Sequence, residues 1–468
     1  MSRSARLVRS VAVLVALALP AALTACGSDR PGGVGGAGVG DPYFPQAGNG
    51  GYDVRHYVLD LAYDPVTSRL SGTARVTARA TRPLTAFNLD LRGMEVEEVR
   101  VGSAAAPFHR EGQELTVRPQ DRLDQGDTFE VTVRYAGRPE TVTDPDGSQE
   151  GWLRTADGAL ALGQPTGSMA WFPGNHHPSD KASYDITVTV PKGLTAVSNG
   201  ELRSERTTGG RTTFAWHTAE PMASHVATLG IGRYDVTRST TGNGLPVYVA
   251  ADPTQAAASR RVLDRLPEVM AWAAATFGPY PFSSTGAVVE RPDDSGYALE
   301  TQNRPVFPGA PDTGLLVHEI AHQWFGNSVT PRTWRDLWLS EGFATYAEWL
   351  WTEDEGGATA EQTFKALYSH GEDRYKDLWS FPPAQQPSAA HLSGDPVYQR
   401  GAMVIHQIRR AVGDDAFHDL VRGWTAAHRH GNAGTGDFTA YVEEQAPGKD
   451  FDAIWADWLY GEGRPDRL

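Results

Sequence analysis

Residues 317–348 read VHEIAHQWFGNSVTPRTWRDLWLSEGFATYAE, and four side chains within them have the types and spacing for metal chemistry: His318, Glu319, His322 and Glu341. On a helix, positions i and i+4 share one face about 5–6 Å apart at Cβ, so His318 and His322 can aim both imidazoles at one ion. Gly326 and Pro331 interrupt that helix, and Asp336 can cap a second one through LWLSEGFATYAEWLW. If the second helix folds back antiparallel, Glu341 near its start reaches the ion as a third ligand. Zinc accepts two histidines and a carboxylate, and three protein ligands leave its fourth position to water, the pattern of a catalytic rather than a structural site. Glu319 adjoins a ligand without being one, which places it to accept a proton from that water. The bland alternative, two polar residues on an ordinary amphipathic helix, explains the HExxH string alone but not the correctly spaced glutamate on a second helix.

These residues must be positioned by a chain of 468 residues, too long for one ordinary core. From Tyr52 to about Val236 the apolar residues alternate, as in Tyr57, Leu59, Leu61, Tyr63 and in Phe129, Val131, Val133, Tyr135, with turn formers between the runs. That predicts a β-domain over residues 51–240. His176 and His177, in PGNHHPSD, lie in one of its loops with no matching ligand pair nearby and read as loop residues. Beyond Asp252 the period becomes helical: TQAAASRRVLDRLPEVMAWAAATFG carries Val262, Leu263, Leu266, Val269, Met270 and Ala273 on one face and ends at Gly278. The chain from Asp354 onward is again mostly helical, so residues 241–468 are expected to form a mainly helical domain. The fold class is α+β.

The N-terminal residues are of a different kind. MSRSARLVRSVAVLVALALPAALTACGSDR places three arginines ahead of an uncharged run and small residues before Cys26, the pattern of an exported signal peptide over residues 1–25. Its ending, Leu-Thr-Ala-Cys, resembles the lipobox of bacterial lipoproteins, in which the cysteine is lipidated and becomes the mature N-terminus. Residues 26–50 are rich in glycine and read as a tether. The expected location is therefore the outer face of the cell membrane, anchored by lipid at Cys26. As the sole cysteine, Cys26 excludes an internal disulfide and a catalytic thiol from the exported protein. A formal net charge of -15 excludes nucleic acid as a natural partner.

HEIAHQWFGNSVT and DLWLSEGFATYAEW together resemble the zinc aminopeptidase family that includes membrane alanyl aminopeptidase and leukotriene hydrolase. The likeness begins at YDVRHYVLDLAYD and runs through WFPGNHHPSDKASYDITVTVPKGLTAVSNG and PMASHVATLGIGRYDV to VYQRGAMVIHQIRR. It implies a saddle-like β-domain followed by a thermolysin-like catalytic domain. It matches His318, His322 and Glu341 to the zinc ligands, Glu319 to the general base and Tyr398 to a tyrosine that stabilises the oxyanion. Glu348, two turns after Glu341, is then a carboxylate able to orient a ligand histidine. The family's amine-binding motif, usually GxMEN, stands here as YALET: Glu300 keeps the carboxylate, while Tyr297, Leu299 and Thr301 replace the other residues. Gln164 aligns with a glutamine that helps hold the substrate amine.

The resemblance thus implies one zinc per chain and peptide substrates with a free N-terminus. The chain stops at Leu468, where family members commonly continue into a helical domain that closes the cavity. A zinc endopeptidase with an open cleft is one alternative on that ground. A binding lipoprotein with a vestigial site is another, opposed by the intact Glu319, which zinc binding alone does not need.

Overall fold

Strict alternation builds the first domain. In the computed structural model, which describes residues 33–466, strand Tyr52–Asp64 buries every second side chain over most of its length, and Lys181–Pro191 does so throughout. These two strands pair in parallel, Leu59 opposite Ile186, at the centre of an eight-stranded sheet. On one side follow Arg211–Ala223 and Glu201–Thr208; on the other come Arg69–Ala80, Thr128–Gly137, Glu95–Val101 and the short Ala104–Ala105. A five-stranded sheet, in the order Thr141–Thr143, Gln149–Arg154, Ala159–Leu162, Leu229–Gly232 and Thr195–Ser198, packs into the same core through Trp152, Leu160, Leu162, Val197 and Ile231.

The second domain starts earlier than the sequence pattern suggests. Strand Asp235–Thr240 pairs with Pro246–Ala251, which continues in parallel through Thr285–Val289 to Val306–Phe307. Residues 235–240 therefore belong to the sheet of the second domain. The helices are α1 (Pro253–Leu263), α2 (Leu266–Phe277), α3 (Thr313–Ala321), α4 (Trp338–Asp354), α5 (Ala360–Arg374), α6 (Gly401–Val412), α7 (Asp414–Ala427) and α8 (Thr435–Gln445). The single helix expected over residues 254–277 is two, because Pro267 offers no N–H and is accommodated only in a first turn, which makes it the start of α2. Asp252 caps α1, its side chain accepting from the Thr254 N–H.

Residues 33–50 depart from the expected tether. Gly33–Val34 lies parallel to Leu84–Asp90, and the Tyr43 hydroxyl donates to the Gln386 carbonyl at 2.7 Å. Asp41, 3% exposed, accepts from the backbone N–H groups of Tyr43, Phe44 and Trp334 and meets His177 Nε2 at 3.2 Å. This segment buckles the two domains together, and glycine content did not disclose it because the anchoring is done by a few side chains, Asp41 and Tyr43 among them, and by backbone groups such as the N–H of Gly48 and Asn49. The expected signal peptide and Cys26 lie outside the described residues.

Candidate active site

Helix α3 begins at the Asp312 cap and carries His318 and Glu319; His322 caps its end while keeping helical φ and ψ. Gly326 then turns the chain at φ 118°, a conformation that favours glycine, and a side chain there would collide with Ser340 Oγ. The return begins with a 3-10 turn, Trp334–Leu337, which leads into the second helix and is capped by Thr333 rather than by Asp336. Asp336 is the reciprocal partner, its carboxylate accepting from the Thr333 N–H at 3.1 Å and hydroxyl at 2.9 Å. Helix α4 then packs beside α3, with Phe325 and Phe343 stacked at 4.2 Å between ring centroids.

That return brings Glu341 to the histidines. Its Oε2 lies 3.5 Å from His318 Nε2 and 3.3 Å from His322 Nε2, and all three residues are buried. The outer nitrogens are already committed. His318 Nδ1 meets Glu348 Oε1 at 2.7 Å, and His322 Nδ1 meets the Phe325 carbonyl and Ser340 Oγ, each at 3.0 Å. A carbonyl or carboxylate partner holds the proton on Nδ1, so both Nε2 lone pairs turn toward Glu341. One nitrogen from each histidine and one Glu341 oxygen lie within 4.8 Å of one another, the donor set and closeness that a zinc ion takes. The residues fit the metal, and His318, His322 and Glu341 form the zinc site.

The electrostatics agree. Burial would push both imidazoles toward the neutral form, yet the hydrogen bonds and charge of Glu341, with Glu348 beside His318, outweigh it and raise both histidines above their ordinary range. Glu341 is held down to about 2: burial raises it, and the two histidines more than reverse that. The cluster is arranged to hold positive charge. Glu319 is different. Burial pushes its carboxyl up against the opposing histidines, and its Oε2 has no hydrogen-bond partner.

Tyr398 reaches the site through a single π-helical turn, Pro396–Arg400, ahead of α6. That turn is fixed by buried Arg400, which donates to the carbonyls of Trp458 at 2.9 Å and Asp457 at 3.0 Å. Helix α6 comes close to α4 where Gly401 faces Gly342; a side chain on Gly342 would stand 2.9 Å from the Gly401 backbone. The Tyr398 ring lies nearly parallel to that of His318, at 6.1 Å and 14°. Burial, and then the carboxylates of Glu341, Glu300 and Glu319, raise its phenol well above the ordinary value.

Every site residue named from the sequence other than Cys26 lines one cavity of about 1130 Å³: Gln164, Glu300, His318, Glu319, His322, Glu341, Glu348 and Tyr398. Glu300 is 4% exposed, and its carboxylate lies within 4.8 Å of ligand atoms of Glu319 and His322. Gln164 Oε1 has no partner. Its loop is set by Glu150, which accepts from the Thr166 N–H and hydroxyl at 2.9 Å. Residues given no role from the sequence also shape the cavity. The buried Tyr297 hydroxyl lacks a partner, and Asp146, at the tip of the hairpin joining Thr141–Thr143 to Gln149–Arg154, accepts from Ser393 Oγ at 2.6 Å across the mouth. Ser340 could have been found from its place beside Glu341; Asp146 and Ser393 had no signal. His176 and His177 hold no metal group with any other residue among those described.

A zinc site floored by two packed helices, with an uncommitted carboxylate beside it and a β-domain forming one wall, defines a gluzincin-type metallopeptidase centre. The model of the peptidase M1 N-terminal domain matches residues 53–226, and that of the peptidase family M1 domain matches residues 311–458. The chain belongs to peptidase family M1. A two-domain M1 zinc metallopeptidase mutant solved with L-tryptophan is 29% identical, with a TM-score of 0.84 over 92% of this chain and 99% of its own. An M1 zinc metallopeptidase mutant from Deinococcus radiodurans, solved with a Tyr-Ser-Ala substrate, is 28% identical with a TM-score of 0.83, over 92% of this chain and 99% of its own. Among curated proteins, probable aminopeptidase 2 of Sulfurisphaera tokodaii is 26% identical over 62% of this chain, and aminopeptidase M1 of Arabidopsis thaliana 25% over 66%. The matches span only 39% and 37% of those two relatives.

Proposed function

We propose that this chain is a zinc aminopeptidase that releases N-terminal residues from peptides. The observation that carries the reading is the place of Glu300. A buried carboxylate next to Glu319 and His322 has room for a substrate ammonium only where that amine adjoins the bond being cut, which is the geometry of an exopeptidase. Burial raises the Glu300 carboxyl, with Glu341 adding to it and His322 opposing, so an arriving ammonium supplies the opposite charge this carboxylate lacks. Gln164 offers an amide oxygen to the same amine.

His318, His322 and Glu341 would hold the zinc, which when bound would supply Lewis acidity and lower the pKa of a water to about 7. Glu319 then accepts the proton of the attacking water and returns it to the leaving amine. Tyr398, kept protonated, donates its hydroxyl hydrogen bond to the oxygen on which negative charge develops. Glu348 holds the His318 ring in place at 2.7 Å. The Tyr-Ser-Ala substrate of the Deinococcus relative and the aminopeptidase relatives support peptides as the substrate class.

Anchoring at the outer face of the cell membrane rests on the leader and on Cys26 in LTAC. Cys26→Ser should abolish lipidation and release the protein from the membrane fraction; an unchanged fractionation would refute the anchor. The deciding experiment for the activity compares one peptide with a free and an acetylated N-terminus. The free peptide should be cut at its first bond and the acetylated one spared; equal cleavage would remove the amine anchor.

A further inference from the structure

We propose that Lys181 and Asn327 form a positioning relay that fixes the amine anchor Glu300 relative to the metal ligand His322; the inference rests on the aminopeptidase reading. The turn after the second zinc histidine is where the two halves of the site meet. Asn327, fully buried, touches both: its N–H donates to the His322 carbonyl at 3.0 Å, and its Nδ2 donates to the Glu300 carbonyl at 2.6 Å. One residue, through its main-chain N–H on one side and its side-chain amide on the other, thus ties the backbone of a zinc ligand to that of the residue that meets the substrate amine.

Asn327 is itself held from the other domain. Lys181, the first residue of strand Lys181–Pro191, donates from Nζ to the carbonyls of Asn327 and Ser328, each at 2.9 Å, and of Gly431 at 3.4 Å. An ammonium has three N–H donors, and three carbonyls use them. Carbonyl oxygens in these turns carry partial negative charge, so an ammonium that reaches three of them is well satisfied. No carboxylate pairs with Lys181 among the described residues, so its partners are these carbonyls. Asn432 reinforces the contact, its Nδ2 donating to the Pro178 carbonyl at 2.8 Å.

A merely structural strut would matter to folding alone. This one bears on the spacing between Glu300 and His322, and misplacing a binding group by about 1 Å can cost about a hundredfold. Lys181 and Asn327 touch no substrate and act through Glu300.

The test begins with the parent enzyme on free and acetylated versions of one peptide; failure to discriminate overturns both the aminopeptidase reading and the relay. Given discrimination, kcat and KM on the free peptide, zinc content and melting temperature are measured for Lys181→Met, Asn327→Ala and the double variant. Each single change should raise KM about tenfold with kcat within about threefold and zinc retained, since amine binding weakens while the metal site persists. The double variant should be no worse than the poorer single, because one relay is broken only once, and Lys181→Arg should recover part of the loss. Additive KM effects, parental KM, or a loss confined to kcat and zinc would overturn the relay. If Lys181→Met does not fold, Asn327→Ala, which leaves the ammonium and its three carbonyls in place, decides by the same KM criterion.

Discussion

Two pairs of histidines are equally buried in this protein and have opposite fates. His176 and His177 are 2% and 3% exposed; His318 and His322 are 8% and 1% exposed. In the first pair the partners are already spoken for. His176 Nε2 meets the Phe172 carbonyl at 2.9 Å, and burial pushes this imidazole down to about 4. His177 faces Asp41, but that carboxylate also serves three backbone N–H groups. In the second pair two Nε2 atoms converge on one glutamate, and their other nitrogens are fixed by Glu348 and Phe325. Burial alone makes a neutral imidazole. Convergent lone pairs with committed outer nitrogens make a metal site.

The largest expected effect falls on a residue that holds nothing. Glu319→Gln removes the proton acceptor and leaves the ligands, so turnover should fall about 10²–10⁴-fold with zinc retained, read by steady-state kinetics beside metal analysis. Tyr398→Phe keeps the ring beside His318 and loses the hydroxyl; kcat should fall about 10²–10³-fold with KM less affected, because the donor acts on charge that appears in the transition state. Parental turnover would leave Tyr398 a packing residue. Glu348→Ala frees the His318 ring, and zinc affinity measured by competition with a chelator should weaken about 10–100-fold. Unchanged affinity would mean that packing, not the carboxylate, orients His318.

The smallest effect sharpens the contrast from the other side. His176 and His225 are pushed by burial to about 4 and about 3, below the ordinary 6.5, His225 also by His177 and Lys181. The unfolded chain therefore binds more protons between those values, so stability should decline as pH falls from about 6.5 and be insensitive to these groups above it. His225 packs edge-on against Trp334 at 5.0 Å, a contact that His225→Phe preserves. That variant should flatten the acid slope of the unfolding free energy by up to about 1.4 kcal/mol per pH unit. An unchanged slope would show that His225 does not titrate on unfolding.

Much of the site was legible because its chemistry is local. His318 and His322 are one helical turn apart, and Glu341 needs only a reversal that Gly326 makes possible, so spacing carried the metal ligands. Glu300, Gln164, Glu348 and Tyr398 came through resemblance, since nothing local announces that a tyrosine 57 residues beyond Glu341 returns to it. The β-domain was legible in its period-two runs. What stayed hidden depends on contacts between distant segments: Asp41 buckling residues 33–50 to Trp334, Lys181 meeting Asn327, and Asp146 meeting Ser393. Composition read residues 26–50 as a tether because glycine counts average over the few side chains that anchor them. The cap at Thr333 was missed for a smaller reason: Asp336 is a good cap by type, but in a capping box it takes the reciprocal role.

The central claim is that convergence of His318, His322 and Glu341, rather than burial of histidine, makes the metal centre and with it the peptidase. Metal analysis of the purified protein, beside Glu341→Ala and His177→Gln and with hydrolysis of a free-amine peptide followed on the same samples, tests it most directly. The account predicts one zinc per chain and activity in the parent and in His177→Gln, and neither in Glu341→Ala. Full zinc and parental activity in Glu341→Ala, or loss of zinc in a folded His177→Gln, would contradict it.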